Sequence, residues 1–242
     1  HMADWSIGFL KENSITECSG SALIVENGAD PEVTDNTIAE CASHGVRIAA
    51  GGKGRFANNK VSMNAAAGFC VGADATSDIR ANEICENDEA GVLVEAGAAA
   101  RIYGNTMHTN GGAGIEVDGE GVTQLRDNDV HSNKGDAGVV VKGAVEVVVY
   151  GNHIHENENA GIALQNGAHP LISKNRCIDN LGDGIKVSGG SKGKLERNTI
   201  QGNEGAPILA EPGCEPIIGE NFLQENDMDD EDEEGDEPRI EG

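Results

Sequence analysis

An all-β fold, a right-handed parallel β-helix of about ten coils with three short strands in each, is predicted by three observations. An Asn returns every 23 residues, apolar residues alternate between its returns, and Gly, Asn and Asp collect where the alternation breaks. The returning residues are Asn13, Asn36, Asn59, Asn82, Asn105, Asn128, Asn152, Asn175, Asn198 and Asn221, with one interval of 24. The extra residue falls within Lys134-Gly135-Asp136-Ala137-Gly138, where a turn can absorb it.

The first strand of a coil ends at the Asn. Three positions before it stand Val33, Phe56, Ile79, Ile102, Leu125, Val149, Ile172, Leu195 and Ile218, a period-2 inward column. The second strand follows the Asn, with Ile15, Ile38, Val61, Ile84, Met107, Val130, Ile154, Cys177, Ile200 and Leu223 two positions after it. The third carries pairs such as Val46/Ile48, Val92/Val94, Ile115/Val117, Ile162/Leu164 and Ile185/Val187. Aromatics are only 3% of the chain, so small branched residues must fill the core. Coils stacked at ~4.8 Å would make a thin rod roughly 43 Å long over the ten Asn positions.

Between the second and third strands a further ladder reads Cys18, Cys41, Asn64, Asn87, Asn110, Asn133, Asn157, Asn180, Asn203 and Asn226. An inward Asn can satisfy backbone groups at a corner and bond to the Asn above and below, so both Asn ladders read as scaffold. Cys18 and Cys41 then act as small buried replacements in adjacent coils, close enough for a disulfide although reduced thiols are the expectation. Gly45, Gly68, Gly91, Gly114, Gly138, Gly161 and Gly184 mark a corner needing positive φ or close packing. Gly28, Gly51, Gly97, Gly167, Gly190 and Gly213 mark another turn.

Residues 1–12 read as a tag remnant, His1-Met2, with a cap or partial coil built on Trp5, Ile7 and Phe9; residues 13–226 form the solenoid, closed by Phe222 and Leu223. Residues 227–242 read as a disordered acidic tail, with ten acids against Arg239. That tail holds −9 of the net charge of −25 and leaves −16 elsewhere, which argues against a general nucleic-acid binder. No apolar stretch reaches the ~20 residues of a membrane span, and no signal-peptide layout opens the chain. Six dispersed Cys without a C-x-x-C pair, and no N-x-S/T sequon, favour an intracellular protein with reduced thiols. No cofactor is expected.

With the inward columns assigned, the outward ones follow. Before the Asn stand Arg55, Arg80, Arg101, Tyr103, Arg126 and Tyr150, the least expected surface in so acidic a chain. Arg pairs with carboxylates or phosphates and Tyr supplies rigid contact area, so this row is the candidate ligand or partner site. The plainer reading is neutralisation by the chain's own Glu32, Asp78 and Asp127. Three after the Asn stand His108, His131 and His155 in consecutive coils, with Asp129 and His153 in the next column. They are candidate metal ligands, but a flat sheet face does not readily wrap three of them around one ion, and an exposed polar ladder is the preferred reading. Eleven after the Asn, Ile24, Cys70, Leu93, Val140, Ala163 and Leu209 form an apolar column broken by Arg47, Glu116 and Lys186, a candidate self-association face. Glu17, Glu40, Glu86, Glu156, Asp179 and Glu225 read as a solvated corner, not as the converging carboxylates of a glycosidase.

The phrase Gly151-Asn152-His153-Ile154-His155-Glu156-Asn157, continued by Gly161-Ile162-Ala163-Leu164 and Gly167-Ala168-His169-Pro170, resembles β-helix repeats of the carbohydrate-binding and sugar-hydrolase (CASH) type. Within that group it is most similar to the β-helix of F-box only protein eleven and its relatives, and the similarity runs from Asn13 to Asn226. The resemblance implies a substrate-recognition module of a ubiquitin ligase, without the F-box or zinc-binding parts. The resulting expectation is a non-catalytic module that grips an acidic or phosphorylated protein segment. The alternatives are a β-helix that binds or modifies a polysaccharide in lyase or epimerase fashion, and a self-associating rod.

Overall fold

The computed structural model describes residues 1–143 and 146–224. Each coil lays down three strands, most of them three residues long, and the strands stack into three parallel sheets. Sheet I has ten strands, from Phe9–Lys11 to Ile217–Ile218, and sheet II has ten, from Ser14–Thr16 to Phe222–Leu223. Sheet III has nine, from Leu23–Val25 to Ile208–Ala210. No helix occurs among the described residues.

Register is set by the repeat. Ile79 pairs with Phe56 on one side and Ile102 on the other, so residues one period apart in sequence become neighbours in space. The inward columns form one core cluster along the rod, in which Val33, Phe56, Ile79, Ile102, Leu125, Val149, Ile172 and Leu195 are fully buried. The few large rings pack edge to face, Phe56 against Phe69 at 5.5 Å.

The Asn ladders are hydrogen-bonded strings, as expected. Asn105 Nδ2 donates to Asn128 Oδ1 at 3.0 Å and to Ile79 O at 2.9 Å, while the Asn105 main-chain N–H donates to the same Asn128 Oδ1 at 3.1 Å. The second ladder repeats the pattern, with Asn110 Nδ2 reaching Asn133 Oδ1 at 2.9 Å and Ile84 O at 3.1 Å. Each amide thereby ties two coils and satisfies main-chain groups that the corner leaves without sheet partners. Cys41, buried, takes the Asn place at the start of this ladder, its Sγ 3.3 Å from Ala39 O and its N–H donating to Asn64 Oδ1 at 3.2 Å. Cys18 and Cys41 are free thiols.

The residue before most of the ladder positions turns the chain through the left-handed region. Glu40, Glu86, Glu156 and Asp179 have φ between 52° and 58°, so the acidic column is a corner. The two Gly sets divide the roles offered for them. At Gly68 a Cβ would stand 2.6 Å from Ile84 Cγ2 and 2.8 Å from Gly91 O, which is close approach between coils without positive φ. Gly51, Gly167, Gly190 and Gly213 have φ between 71° and 89° and open space around them, whereas Gly28, at φ 79°, lies under the Trp5 ring. Through the 24-residue interval the ladders continue unbroken, Asn128 to Asn152 at 2.9 Å and Asn133 to Asn157 at 3.0 Å.

The N-terminal segment meets the first coil through Met2, which bridges to Val25 and packs against the core, and through Trp5, whose ring lies on Gly28. Trp5, Ile7 and Phe9 are 77%, 83% and 83% exposed, and Phe9 already belongs to the first strand of sheet I. Phe222 and Leu223 form the last strand of sheet II and are also exposed rather than closing over the coil. The acidic tail, Glu225 and Asn226 lie outside the described residues.

Candidate functional site

On sheet I the Arg/Tyr row resolves into two adjacent columns. One runs Glu32, Arg55, Asp78, Arg101, Gln124; the other runs Ala57, Arg80, Tyr103, Arg126, Tyr150. All four Arg are exposed. The neutralisation expected from Glu32, Asp78 and Asp127 is not made as contacts: among the described residues no carboxylate lies within 4.0 Å of Arg55, Arg80, Arg101 or Arg126. Two of the four instead meet a Tyr. Arg80 Nη1 donates to Tyr103 Oη at 3.2 Å, and the Arg126 guanidinium sits 5.6 Å from the Tyr150 ring centre. Lys174 Nζ donates to Tyr150 Oη at 3.0 Å.

A concavity of about 380 Å³ opens over the first of these columns, lined by Lys53, Arg55, Asp78, Arg101, Val122 and Gln124 among others. Asp78 stands in register between Arg55 and Arg101 and its Oδ1 is buried without a hydrogen-bond partner. Asp78 lines the concavity beside two guanidinium-bearing strands, and a rotation of its side chain that brings a carboxylate oxygen to the surface lets it accept a proton from a bound molecule whose own anionic group the Arg hold. Sequence reasoning treated Asp78 only as a counter-charge. Its place in the Arg column was readable from the register, but its unsatisfied oxygen was not.

Sheet II carries the imidazoles. His108 stacks on His131 with ring centres 5.1 Å apart, and His131 stacks on His155 at 4.9 Å. Stacked rings hold their nitrogens side by side, so the three do not converge on one point. Asp129, His153 and His155 do come together, with their donor atoms all within 4.8 Å of one another. A second group, Glu83, Cys85 and His108, is less suited to an ion. Lys60 Nζ already occupies Glu83 Oε1 at 2.8 Å, and burial pushes the Cys85 thiol up to about 11, away from the thiolate a metal needs.

Burial, and next the neighbouring His155, hold His131 below its ordinary value of 6.5, while Asp129 pulls weakly the other way. Burial and Arg47 do the same to His44, whose Nδ1 lies 3.2 Å from the Ala67 N–H and accepts from it when neutral. As pH falls the unfolded chain therefore takes up these protons before the folded one does. Stability is full above 6.5 and declines as pH drops through the lowered folded values. The urea midpoint should fall between about pH 7.5 and about pH 5.5, and the slope should flatten in a His44→Gln, His131→Asn double variant.

Sheet III corrects the expected self-association face. Cys70, Val140 and Ala163 are buried; Val140 and Ala163 pack with Ala113 and with Ala137 and Ala160, the first residues of their own strands, into a satellite cluster. Glu116 and Lys142 form an ion pair at 2.5 Å beside them, and Glu95 accepts from the Cys70 thiol at 3.4 Å. Ile24 and Leu93 are half-buried, and only Leu209 is exposed, at 37%. No continuous apolar face remains there.

A family model described as a right handed beta helix region matches residues 3–106 and 70–227. Among solved structures, the chain resembles the periplasmic alginate epimerase AlgG with TM-score 0.68 and 11% identity, covering 92% of this chain and 61% of that one. It resembles the A-module of the Azotobacter vinelandii mannuronan C-5 epimerase AlgE6 with TM-score 0.59 and 16% identity, over 89% and 58% of the two chains. For the A-module of AlgE4 from the same organism the values are 0.62, 14%, 87% and 78%. The chain thus spans less than two thirds of AlgG and of the AlgE6 module, and at these identities the likeness is one of fold. No curated protein matches by sequence. The comparisons carry the right-handed β-helix part of the resemblance noted above and nothing specific to F-box only protein eleven.

Proposed function

The chain belongs to the right-handed β-helix family, and from that premise we propose that sheet I holds a carboxylate-bearing polysaccharide and removes a proton adjacent to one of its carboxylates. The observation that carries the reading is Asp78, a carboxylate that lines the concavity and stands in register between Arg55 and Arg101. In a uronic-acid unit the ring carbon next to the carboxylate bears a hydrogen. Its removal by Asp78 breaks that C–H bond and leaves the electron pair delocalised into the carboxylate, where Arg55 and Arg101 stabilise it. Return of a proton from water to the opposite face inverts the carbon; alternatively the electron pair forms a ring double bond as the neighbouring glycosidic oxygen departs, protonated by water, and the chain is cleaved.

Arg80, Tyr103, Arg126 and Tyr150 continue the surface for further sugar units, the Tyr rings offering flat contact area and the Arg their bidentate donors. The Arg row alone would serve an acidic or phosphorylated protein segment equally well. The epimerases with which the chain shares its fold favour the polysaccharide.

The test has two arms. Retardation of the protein in gels containing a polyuronate, compared with a neutral glucan, reports binding; NMR of the polymer in D₂O reports exchange or inversion at the carbon next to the carboxylate. Arg55→Ala with Arg101→Ala should weaken retention roughly 10-fold or more, since each charged hydrogen bond contributes about 1.5–3 kcal/mol. Asp78→Asn should keep retention and abolish turnover. Wild-type protein that neither binds polyuronate nor exchanges its hydrogen would overturn the reading.

A further inference from the structure

On the neighbouring face, away from the groove of sheet I, we propose that Asp129, His153 and His155 of sheet II form a binding site for a divalent transition metal of the zinc class. His153 and His155 lie two apart on one strand, so both side chains leave the same face. Asp129 is paired with His153 on the preceding coil, and the next residue on its face, His131, is paired with His155. The register therefore sets one carboxylate against two imidazoles with no loop to order.

The distances fit an ion. His153 Nδ1 lies 3.3 Å and His155 Nε2 3.1 Å from the same atom, Asp129 Oδ1. Three donors each ~2.0–2.2 Å from a tetrahedral zinc stand about 3.3 Å apart, so these two edges already have the required length. The rings of His153 and His155 are stacked at 4.2 Å, and all three donor atoms lie within 4.8 Å of one another.

A second observation concerns the far side of one ligand. Glu156 Oε1 lies 3.6 Å from His155 Nδ1, the nitrogen turned away from Asp129. Without an ion Nε2–H can donate to Asp129 Oδ1; once an ion takes Nε2 the proton belongs on Nδ1, where a small movement of Glu156 lets it accept. Nε2 and the carboxylate oxygen face each other at 3.1 Å, a spacing that serves a hydrogen bond and equally serves two ligands of one ion that displaces the proton. One ion satisfies His153, His155 and Asp129 together and leaves its fourth position open to water on the exposed face. His131, stacked on His155, stands beside the site, and Arg176, paired with His153 on the following coil, borders it on the other side.

The experiment is calorimetric titration of the whole chain with Zn²⁺ at neutral pH, in excess Mg²⁺ to mask the acidic surface. One ion per chain is expected, and Co²⁺ in its place should show the intense visible bands of a tetrahedral centre. His153→Ala, His155→Ala and Asp129→Ala should each weaken binding at least 10-fold, and Glu156→Gln by about 10-fold. His108→Ala, which leaves the three donors in place, should bind as wild type does. Circular dichroism identifies any variant that fails to fold, and His153→Gln, close in size to the native residue, then replaces it. Absence of Zn²⁺ binding, equal binding by the His155→Ala protein, or Co²⁺ spectra of octahedral type would each overturn the assignment. Loss of polyuronate binding by the sheet I variants leaves this test untouched, because the two sites share no residue.

Discussion

Asn110→Ala is expected to destabilise the rod by about 3 kcal/mol or more, the largest effect of any single side-chain truncation here. Asn110 Oδ1 accepts from the Asn87 main-chain N–H at 3.2 Å and from Asn87 Nδ2 at 3.0 Å, while Asn110 Nδ2 donates to Asn133 Oδ1 and Ile84 O. Alanine removes all four bonds and leaves the groups opposite in a dry corner, where each lost partner costs about 1–3 kcal/mol. Because each coil touches only its neighbours, a break at the middle also weakens coupling between the two ends. Urea unfolding followed by circular dichroism should therefore show a lower midpoint and a broader or two-step transition. Asn13→Ala, at the exposed start of the other ladder, should cost under about 1 kcal/mol. Equal effects at Asn110 and Asn13 would show that the ladders are not cooperative. Asn64→Cys should be milder than Asn64→Ala, since Cys41 already serves in that place one coil away.

Gly68→Ala is expected to cost about 2–3 kcal/mol through overpacking. The added methyl would meet Ile84 Cγ2 at 2.6 Å, Gly91 O at 2.8 Å and Asn87 Nδ2 at 2.9 Å, and two of the three cannot swing away. At Gly51 nothing lies within 4 Å of the new carbon and φ is +76°, so Ala there costs about 1–2 kcal/mol for backbone strain alone. The two mechanisms separate in a double-mutant cycle. Ile84→Ala should soften the Gly68→Ala penalty and leave the Gly51→Ala penalty unchanged. Thermal midpoints of the six proteins check both statements.

The architecture was legible because it rests on periodicity, which a single sequence displays in full. Ile79 inward and Arg80 outward follow from alternation, and Asn110 shows itself as scaffold by recurring. What alternation does not tell is what lies over an outward residue. Val140 points away from the axis as expected, yet it is buried in a second small cluster with Ala113, Ala137, Ala160 and Ala163. The candidate sites depend on adjacency in two directions at once. His108, His131 and His155 share a column, so the sequence groups them, but their stacked rings point their nitrogens in parallel. The donors that converge are two on one strand and one on the strand before, Asp129, His153 and His155. Asp78 was visible in its column, but whether its carboxylate finds a partner depends on side-chain placement, which spacing does not encode.

The coil that carries an extra residue between Lys134 and Gly138 has a consequence for how such a gene can change. Asn133 still reaches Asn157, and Val117 still pairs with Val141, so the added length is taken up at the corner and displaces neither ladder nor strand. A codon gained or lost there is phase-preserving, whereas one gained inside a strand turns its remaining residues over and exchanges inside for outside. Lineages of this fold can thus lengthen or shorten that corner by deletion and duplication while sheets I and II keep their alignment. The same corner is where a foreign peptide could be spliced in for display at a fixed height on the rod.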